Sequence, residues 1–291
     1  MPGIVWHRQR VEQGELRASQ EYCRELTRRE AANFYWGFVA LPREQRVAIY
    51  ALYSFARQVD DDVDLAIAGP GTFQKQRDRL IEGLAGEIDD PVMQVLADVV
   101  PRYQIPATDL EGLIDGVEMD LQVQRYQSWD LLRRYCDLVA STVGRMCVRV
   151  FGFKHPNALE YADDLGVAMQ LSNILRDVRE DLDRGHIYVP QDELRRFGVD
   201  EADLLAGTPG RGWEPLVQHQ IERARQFFAG GLKVTDEIPR RAGVCVLTMA
   251  GIYQSILDEI ENDPYLPLKR RASLRRRTKL SVMLRSWLQA M

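Results

Sequence analysis

The sequence predicts an all-α protein, read as a single helical domain over residues 1–291 with a central pocket between two aspartate-bearing helices. Three observations lead there. Apolar residues recur at helical spacing in nearly every segment between the prolines. No alternating strand pattern runs longer than Ile187-Tyr188-Val189. Two Asp-x-x-x-Asp pairs, Asp60/Asp64 and Asp177/Asp181, sit inside otherwise apolar helical stretches.

The elements follow from punctuation and period. Helices are expected at 17–32, 43–66, 72–86, 91–103, 107–126, 128–152, 157–183, 214–236, 240–262 and 267–289. Pro42 and Pro91 suit a first helical turn, where a missing N–H costs nothing. Asn157, just after Pro156, is placed to cap the long helix that carries the second aspartate pair. Pro70-Gly71, Pro106, Pro190, Thr208-Pro209-Gly210, Pro239 and Pro264 mark the breaks. There is no internal repeat and no low-complexity linker, which favours one domain. The glycines of 207–212 follow no strand and open no βαβ unit, so they form a loop and not a dinucleotide fingerprint.

Composition narrows the classes. The 291 residues are 45% hydrophobic, enough for an extensive core. The net charge of −5 carries no nucleic-acid signature. The charge is uneven, however. Residues 267–291 hold eight basic side chains and no acidic one, which leaves −13 on the rest (−5 minus 8). That region reads as a solvated helix face, as a diphosphate clamp near its start, or as a patch drawn to anionic lipid. The four cysteines (23, 136, 147, 245) show no CxxC and read as buried free thiols of a reducing compartment. The four scattered histidines argue against a zinc site. There is no signal-peptide pattern, and no apolar run approaches the ~20 residues of a membrane helix. The expectation is a cytoplasmic protein, at most peripheral to a membrane.

The aspartate pairs carry the chemistry. Residues i and i+4 share one helix face, ~6 Å apart. Two such faces turned toward each other gather at least four carboxylates, which is costly unless cations join them. Carboxylate oxygens suit Mg²⁺, whose shell is usually completed by water and substrate phosphate. Each pair alone reads as a solvated acidic face. Together, after Ala48–Val59 and Leu165–Arg176, they interrupt segments with burial periodicity, and buried carboxylates need partners. Gln170, Asn173 and Asp177 follow at helical spacing and share a face.

Several blocks resemble the squalene and phytoene synthase family. They are Tyr53-Ser-Phe-Ala-Arg57-Gln-Val-Asp60-Asp61-Asp-Val-Asp64, Gly116-Val-Glu-Met-Asp120-Leu, Tyr135-Cys-Asp-Leu-Val-Ala-Ser-Thr-Val-Gly144 and Gln170-Leu-Ser-Asn173-Ile-Leu-Arg176-Asp177-Val-Arg-Glu180-Asp181. Arg184-Gly-His-Ile-Tyr188 follows, and the match runs from about Tyr22 to Arg270. The resemblance implies the isoprenoid-synthase fold and the joining, C1 to C1′, of two C15 or C20 allylic diphosphates.

It also implies roles. Asp60, Asp64, Asp177 and Asp181 match metal-binding aspartates for two or three Mg²⁺. Tyr53, Tyr135, Asp60 and Asp177 are the expected catalytic groups. Phe34, Arg57, Asp61, Asp120, Gln170, Asn173, Arg176, Tyr188, Tyr253 and Arg270 are the expected substrate side. Arg57 suits bidentate diphosphate contact, whereas Arg176 reads equally well as an ion-pair partner of Glu180. Val139, Ala140, Val143 and Gly144 form a small-residue face for an isoprenoid chain or for close helix packing.

The chain departs from many relatives at Ala31-Ala-Asn33-Phe34, where Ser-x-Ser-Phe is frequent, and at Arg179, where Gly is frequent. Asn33-Phe34 and Phe55-Ala56-Arg57 look closer to bacterial squalene-pathway members. The expected substrate is therefore farnesyl diphosphate, on the way to presqualene diphosphate, squalene or hydroxysqualene for hopanoid- or sterol-type products. Geranylgeranyl diphosphate and phytoene are the alternative. NADPH use is open, with no dinucleotide motif to indicate it. A non-catalytic assembly protein is the competing class, disfavoured because both aspartate motifs are intact.

Overall fold

The structure, a computed structural model, describes residues 13–31, 35–64, 71–274 and 276–290. Among these residues there is no strand. The regular elements are α1 (Gln13–Glu30), α2 (Tyr35–Phe38), α3 (Arg43–Asp64), α4 (Thr72–Ala85), α5 (Pro91–Arg102), α6 (Ala107–Gln122), α7 (Trp129–Cys136), a π turn (Asp137–Ser141) and α8 (Thr142–Phe151). They continue with α9 (Asn157–Asp183), α10 (Gln191–Phe197), α11 (Glu201–Leu205), α12 (Trp213–Gly231), α13 (Val234–Glu237), α14 (Arg240–Asn262), α15 (Leu266–Lys269) and α16 (Arg276–Ala290).

Helix α9 is the centre. It packs against α12, α14, α8 and the π turn. Its buried residues include Ala162, Leu165, Val167, Ala168, Leu171, Ile174, Leu175 and Val178, which occupy most of its circumference. A helix apolar nearly all round is a core helix. A second layer joins α1, α3, α4 and α5 through Cys23, Ala48, Leu52, Phe55, Leu80, Val92 and Leu96. Asp90 caps α5, its Oδ1 accepting from Val92 N and Met93 N at 2.9 Å each, with Pro91 at the first helical position.

Small residues set the close crossings. A Cβ on Gly166 would lie 2.7 Å from the Ala140 backbone, and one on Gly144 2.7 Å from the Ala162 carbonyl oxygen. A Cβ on Gly116 would lie 2.6 Å from a Val139 methyl. Ala140, Gly144 and Val139 therefore serve helix packing at these contacts. The π turn lies at this crossing. Ser141 Oγ donates to the Asp163 carbonyl at 2.9 Å, and Thr142 Oγ1 to the Leu138 carbonyl at 2.6 Å. Arg145 on α8 ties Asp109 of α6 to Asp163 of α9, at 2.7 and 2.5 Å.

Several expected boundaries move. Asn157 is the first residue of α9, not its cap, and Pro156 precedes it. The helix expected to Tyr126 ends at Gln122, because residues 124–127 pair with a downstream segment. Ile187 N donates to Gln124 O at 3.1 Å and Gln191 N to Tyr126 O at 2.8 Å. The expected 128–152 helix contains the π turn, and the expected 214–236 helix breaks after Gly231. The expected 267–289 helix is two. Arg270 is extended, and Ala272 N donates to the Arg176 carbonyl at 3.4 Å. The short helices α2, α10 and α11 were not expected.

Helix α14 is long and apolar enough to cross a bilayer by composition, contrary to the reading that no segment is. Of its apolar window 61% is buried inside the protein, packed against α9 and α16, which identifies a core helix. The cysteines form no disulfide, and three of the four are buried. Burial pushes the Cys23 and Cys147 thiols up to about 12.

Candidate active site

Helix α3 presents Tyr53, Arg57, Asp60 and Asp61 along successive turns. Arg57 forms an ion pair with Asp61. Its Nε is nevertheless buried and without a hydrogen-bond partner. Burial pushes the Tyr53 hydroxyl up to about 12, against the pull of Arg57. Phe34 lies outside the described residues, as does the side chain of Asp64.

Helix α9 presents Gln170, Asn173, Arg176, Asp177 and Asp181. Asn173 Nδ2 donates to Gln170 Oε1 at 3.1 Å, which leaves the buried Asn173 Oδ1 without a partner. Arg176 does not pair with Glu180. It forms a bidentate contact with Asp177, Nε–Oδ1 2.8 Å and Nη2–Oδ2 2.5 Å. Arg271, from the extended segment after α15, also reaches Asp177 Oδ1 at 3.0 Å and Glu180 at 3.5 Å. Arg270 instead directs its guanidinium to the Arg271 carbonyl at 3.4 Å. Tyr253, buried on α14, is pushed up by burial, while Arg176 and Asn173 hydrogen bonds pull the other way.

Asp181 lies one turn beyond Asp177 and has a different environment. Burial, followed by the charges of Asp177 and Asp120, pushes its carboxyl up to about 7. A carboxylate in that position is short of positive charge.

Asp120 anchors the third group. Tyr188 donates its hydroxyl to both Asp120 oxygens, at 2.8 and 2.9 Å, and Tyr126 donates at 3.4 Å. The rings of Tyr126, Tyr135 and Tyr188 pack with centroids 5.4–5.6 Å apart. His186 Nδ1 lies 3.9 Å from Asp120 and is buried without a hydrogen bond. Burial raises the Asp120 carboxyl above its usual range, and the Tyr188 hydrogen bond limits the rise. The pairing of 124–127 with 187–191 assembles this cage, because it places Tyr126 beside Tyr188.

Among the described residues no three metal-capable side chains converge on one point. Two guanidiniums occupy Asp177, and the Asp64 side chain is not among those described. The donors still suit a hard divalent cation. The orphaned Asn173 Oδ1 and the Asp181 carboxyl are both oxygen ligands on the face of α9 that would meet it.

The sequence reading did not single out Tyr126, His186 or Arg271. A helix continued to residue 126 turns Tyr126 away from Asp120, so only the chain reversal at Val123 reveals it. His186 lies inside the Arg184–Tyr188 block. Arg271 adjoined the chosen Arg270, and the extended backbone decides between neighbours.

A family profile described as squalene/phytoene synthase matches residues 27–280. The phytoene synthase of Mycobacterium bovis is 36% identical over 266 residues, covering 89% of this chain and 87% of its own. The 15-cis-phytoene synthase of Synechocystis is 36% identical over 285 residues, covering 93% and 85%. Among solved structures, a dehydrosqualene synthase superposes with a TM-score of 0.88 at 24% identity, over 96% of this chain and 99% of that one, and shares the fold. Squalene synthase HpnC from Alicyclobacillus acidocaldarius superposes with a TM-score of 0.81 at 28% identity, over 87% and 97%. The fold is the all-α isoprenoid-synthase fold, and the chain belongs to the squalene/phytoene synthase family of prenyltransferases.

Proposed function

We propose that this protein joins two geranylgeranyl diphosphates head to head to give phytoene. Relatives at 35–36% identity that carry the name phytoene synthase support the C20 substrate over farnesyl diphosphate, which Asn33-Phe34 had suggested. The squalene-type reading keeps one specific support, the likeness to squalene synthase HpnC at 28% identity. The observation that carries the head-to-head chemistry is Asp120, a half-buried carboxylate ringed by three tyrosines beside Asp181.

The first coupling releases one diphosphate and one proton as the new carbon–carbon bonds form. Mg²⁺ held by Asp60, Asp64, Asp177 and Asp181 would supply the charge that lets diphosphate leave. Arg57, with its unpartnered Nε, is oriented by Asp61 and offers donors to diphosphate oxygen. Arg271 and Arg176 offer further positive charge at Asp177. The mutually packed rings of Tyr126, Tyr135 and Tyr188 add apolar surface that limits water around Asp120. Asp120, raised by burial, is a better proton acceptor than an ordinary carboxylate, and Tyr188 fixes its orientation. The second step on the C20 reading breaks the remaining carbon–oxygen bond to release the second diphosphate, opens the cyclopropane formed in the first step and loses a proton. It takes up no hydride, so it needs no NADPH.

The deciding experiment offers both diphosphates at equal concentration with Mg²⁺, with and without NADPH, and identifies products by mass spectrometry. C40 hydrocarbon in excess is expected. C30 products in excess would restore the farnesyl reading, and no coupled product from either would remove the activity.

A further inference from the structure

Helix α16 carries an apolar stripe on its outer face. Leu280, Leu284, Trp287 and Leu288 are 51%, 62%, 42% and 68% exposed. At 100° per residue these four fall within a ~100° arc, the width of an amphipathic helix's apolar face. The opposite face is already committed. Val282 approaches Gly251 of α14 so closely that a Cβ there would meet its methyl at 2.6 Å, and Ser286 is 3% exposed. Docking on α14 therefore fixes the rotation of α16 and holds the leucines and tryptophan outward. This clustering exceeds the scattered single apolar residues of an ordinary surface.

The charge around the stripe selects its occupant. Arg277 lies on the same arc and Arg285 on its flank, about 60° beyond Leu288 at 100° per residue, and both are exposed. Residues 267–291 hold eight basic side chains and no acidic one, on a chain whose remainder is −13 (−5 minus 8). A second copy of this chain would bring the same cations into opposition. An anionic lipid surface supplies both missing complements, acyl chains for the leucines and headgroup phosphates for the arginines.

We propose that α16 lies in the surface of an anionic membrane, with Leu280, Leu284, Trp287 and Leu288 inserted below the headgroups and Arg277 and Arg285 at their level. Tryptophan and leucine on one face with arginine beside them is the composition of an interfacial helix. The inference goes beyond the proposed reaction and does not depend on substrate chain length.

The test is sedimentation with vesicles that contain no prenyl diphosphate. The full chain should bind phosphatidylcholine vesicles containing phosphatidylglycerol, and bind phosphatidylcholine alone far less. Added salt should weaken the binding. Arg277→Gln with Arg285→Gln should reduce affinity about thirtyfold, at roughly a factor of five per surface charge. Leu284→Glu with Leu288→Glu should reduce it at least about tenfold through lost acyl burial. Both double variants change exposed positions, so their thermal unfolding and their activity in detergent should match wild type. No binding by wild type, or equal binding by the variants, overturns the proposal. So does a wild-type dimer, seen by light scattering, that the leucine variant converts to monomer while vesicle binding is unaffected or absent. That result would make the face a self-interface.

Discussion

Asp177 and Asp181 share one helix face a single turn apart, yet their surroundings differ in sign. Asp177 sits between the guanidiniums of Arg176 and Arg271. Asp181 sits among other carboxylates. Asp177→Asn should therefore lower the melting temperature, because it takes the counter-charge from the nearly buried Arg176 and leaves it only the Tyr253 hydroxyl. Breaking a buried pair costs about 3 kcal/mol. Asp181→Asn should raise the melting temperature of the metal-free protein, because it removes a repelled charge. A thermal scan of both variants in chelator checks the contrast, and equal shifts in one direction would contradict it. Asp120→Asn keeps acceptor oxygen for Tyr188 and Tyr126, so the fold should hold. If Asp120 takes the proton, kcat should fall by about 10²–10⁴ with little change in KM. An unchanged kcat would move that role elsewhere.

Among the elements, the glycine-lined crossing of α6, the π turn and α9 is the least forgiving. Gly166→Ala puts a Cβ 2.7 Å from backbone atoms of Ala140 and Ser141, which cannot rotate away. Overpacking of this kind costs about 1–3 kcal/mol, and a rigid backbone neighbour places it at the upper end. Gly210→Ala, with nothing within 4 Å, is the control and should leave stability unchanged. Denaturant unfolding of the pair measures the difference, and matched midpoints would show that the crossing can relax.

The same crossing shows what was legible in the sequence. Most of the long helices were, because the apolar stripe that buries each one is written at local spacing. The five-residue π turn was not, because its residues read as ordinary helix and only the approach of α9 makes the extra residue useful. The early end of α6 and the break at Arg270 were hidden for the same reason. In both places a backbone group finds a partner far away in sequence, Ile187 for Gln124 and Arg176 for Ala272. The candidate site divides likewise. The aspartate pairs announced themselves by interrupting apolar helices, while Tyr126 and Arg271 enter the picture only through those non-local contacts.

At the scale of the whole molecule, stability is tied to pH and to metal through Asp181. Its carboxyl is raised from 3.8 to about 7 by burial and by neighbouring carboxylates. The folded state thus binds this proton more tightly than the unfolded chain does. The resulting stability is fully present below about pH 4 and is lost as pH rises through about 7. One pKa unit corresponds to about 1.4 kcal/mol, so the metal-free protein gives up at most about 4 kcal/mol from this group across that window. A divalent cation that accepts the deprotonated carboxylate reverses the sign of that demand. Mg²⁺ should therefore raise the melting temperature more at pH 8 than at pH 5.5. At a hundredfold excess over its Kd it contributes about 2.7 kcal/mol. Asp181→Asn should flatten the pH dependence of the metal-free protein and shrink the Mg²⁺ effect. Melting temperatures across pH, with Mg²⁺ or with excess chelator, measure all of these. A metal effect equal at the two pH values, or unchanged in Asp181→Asn, would separate this carboxylate from the metal-binding face.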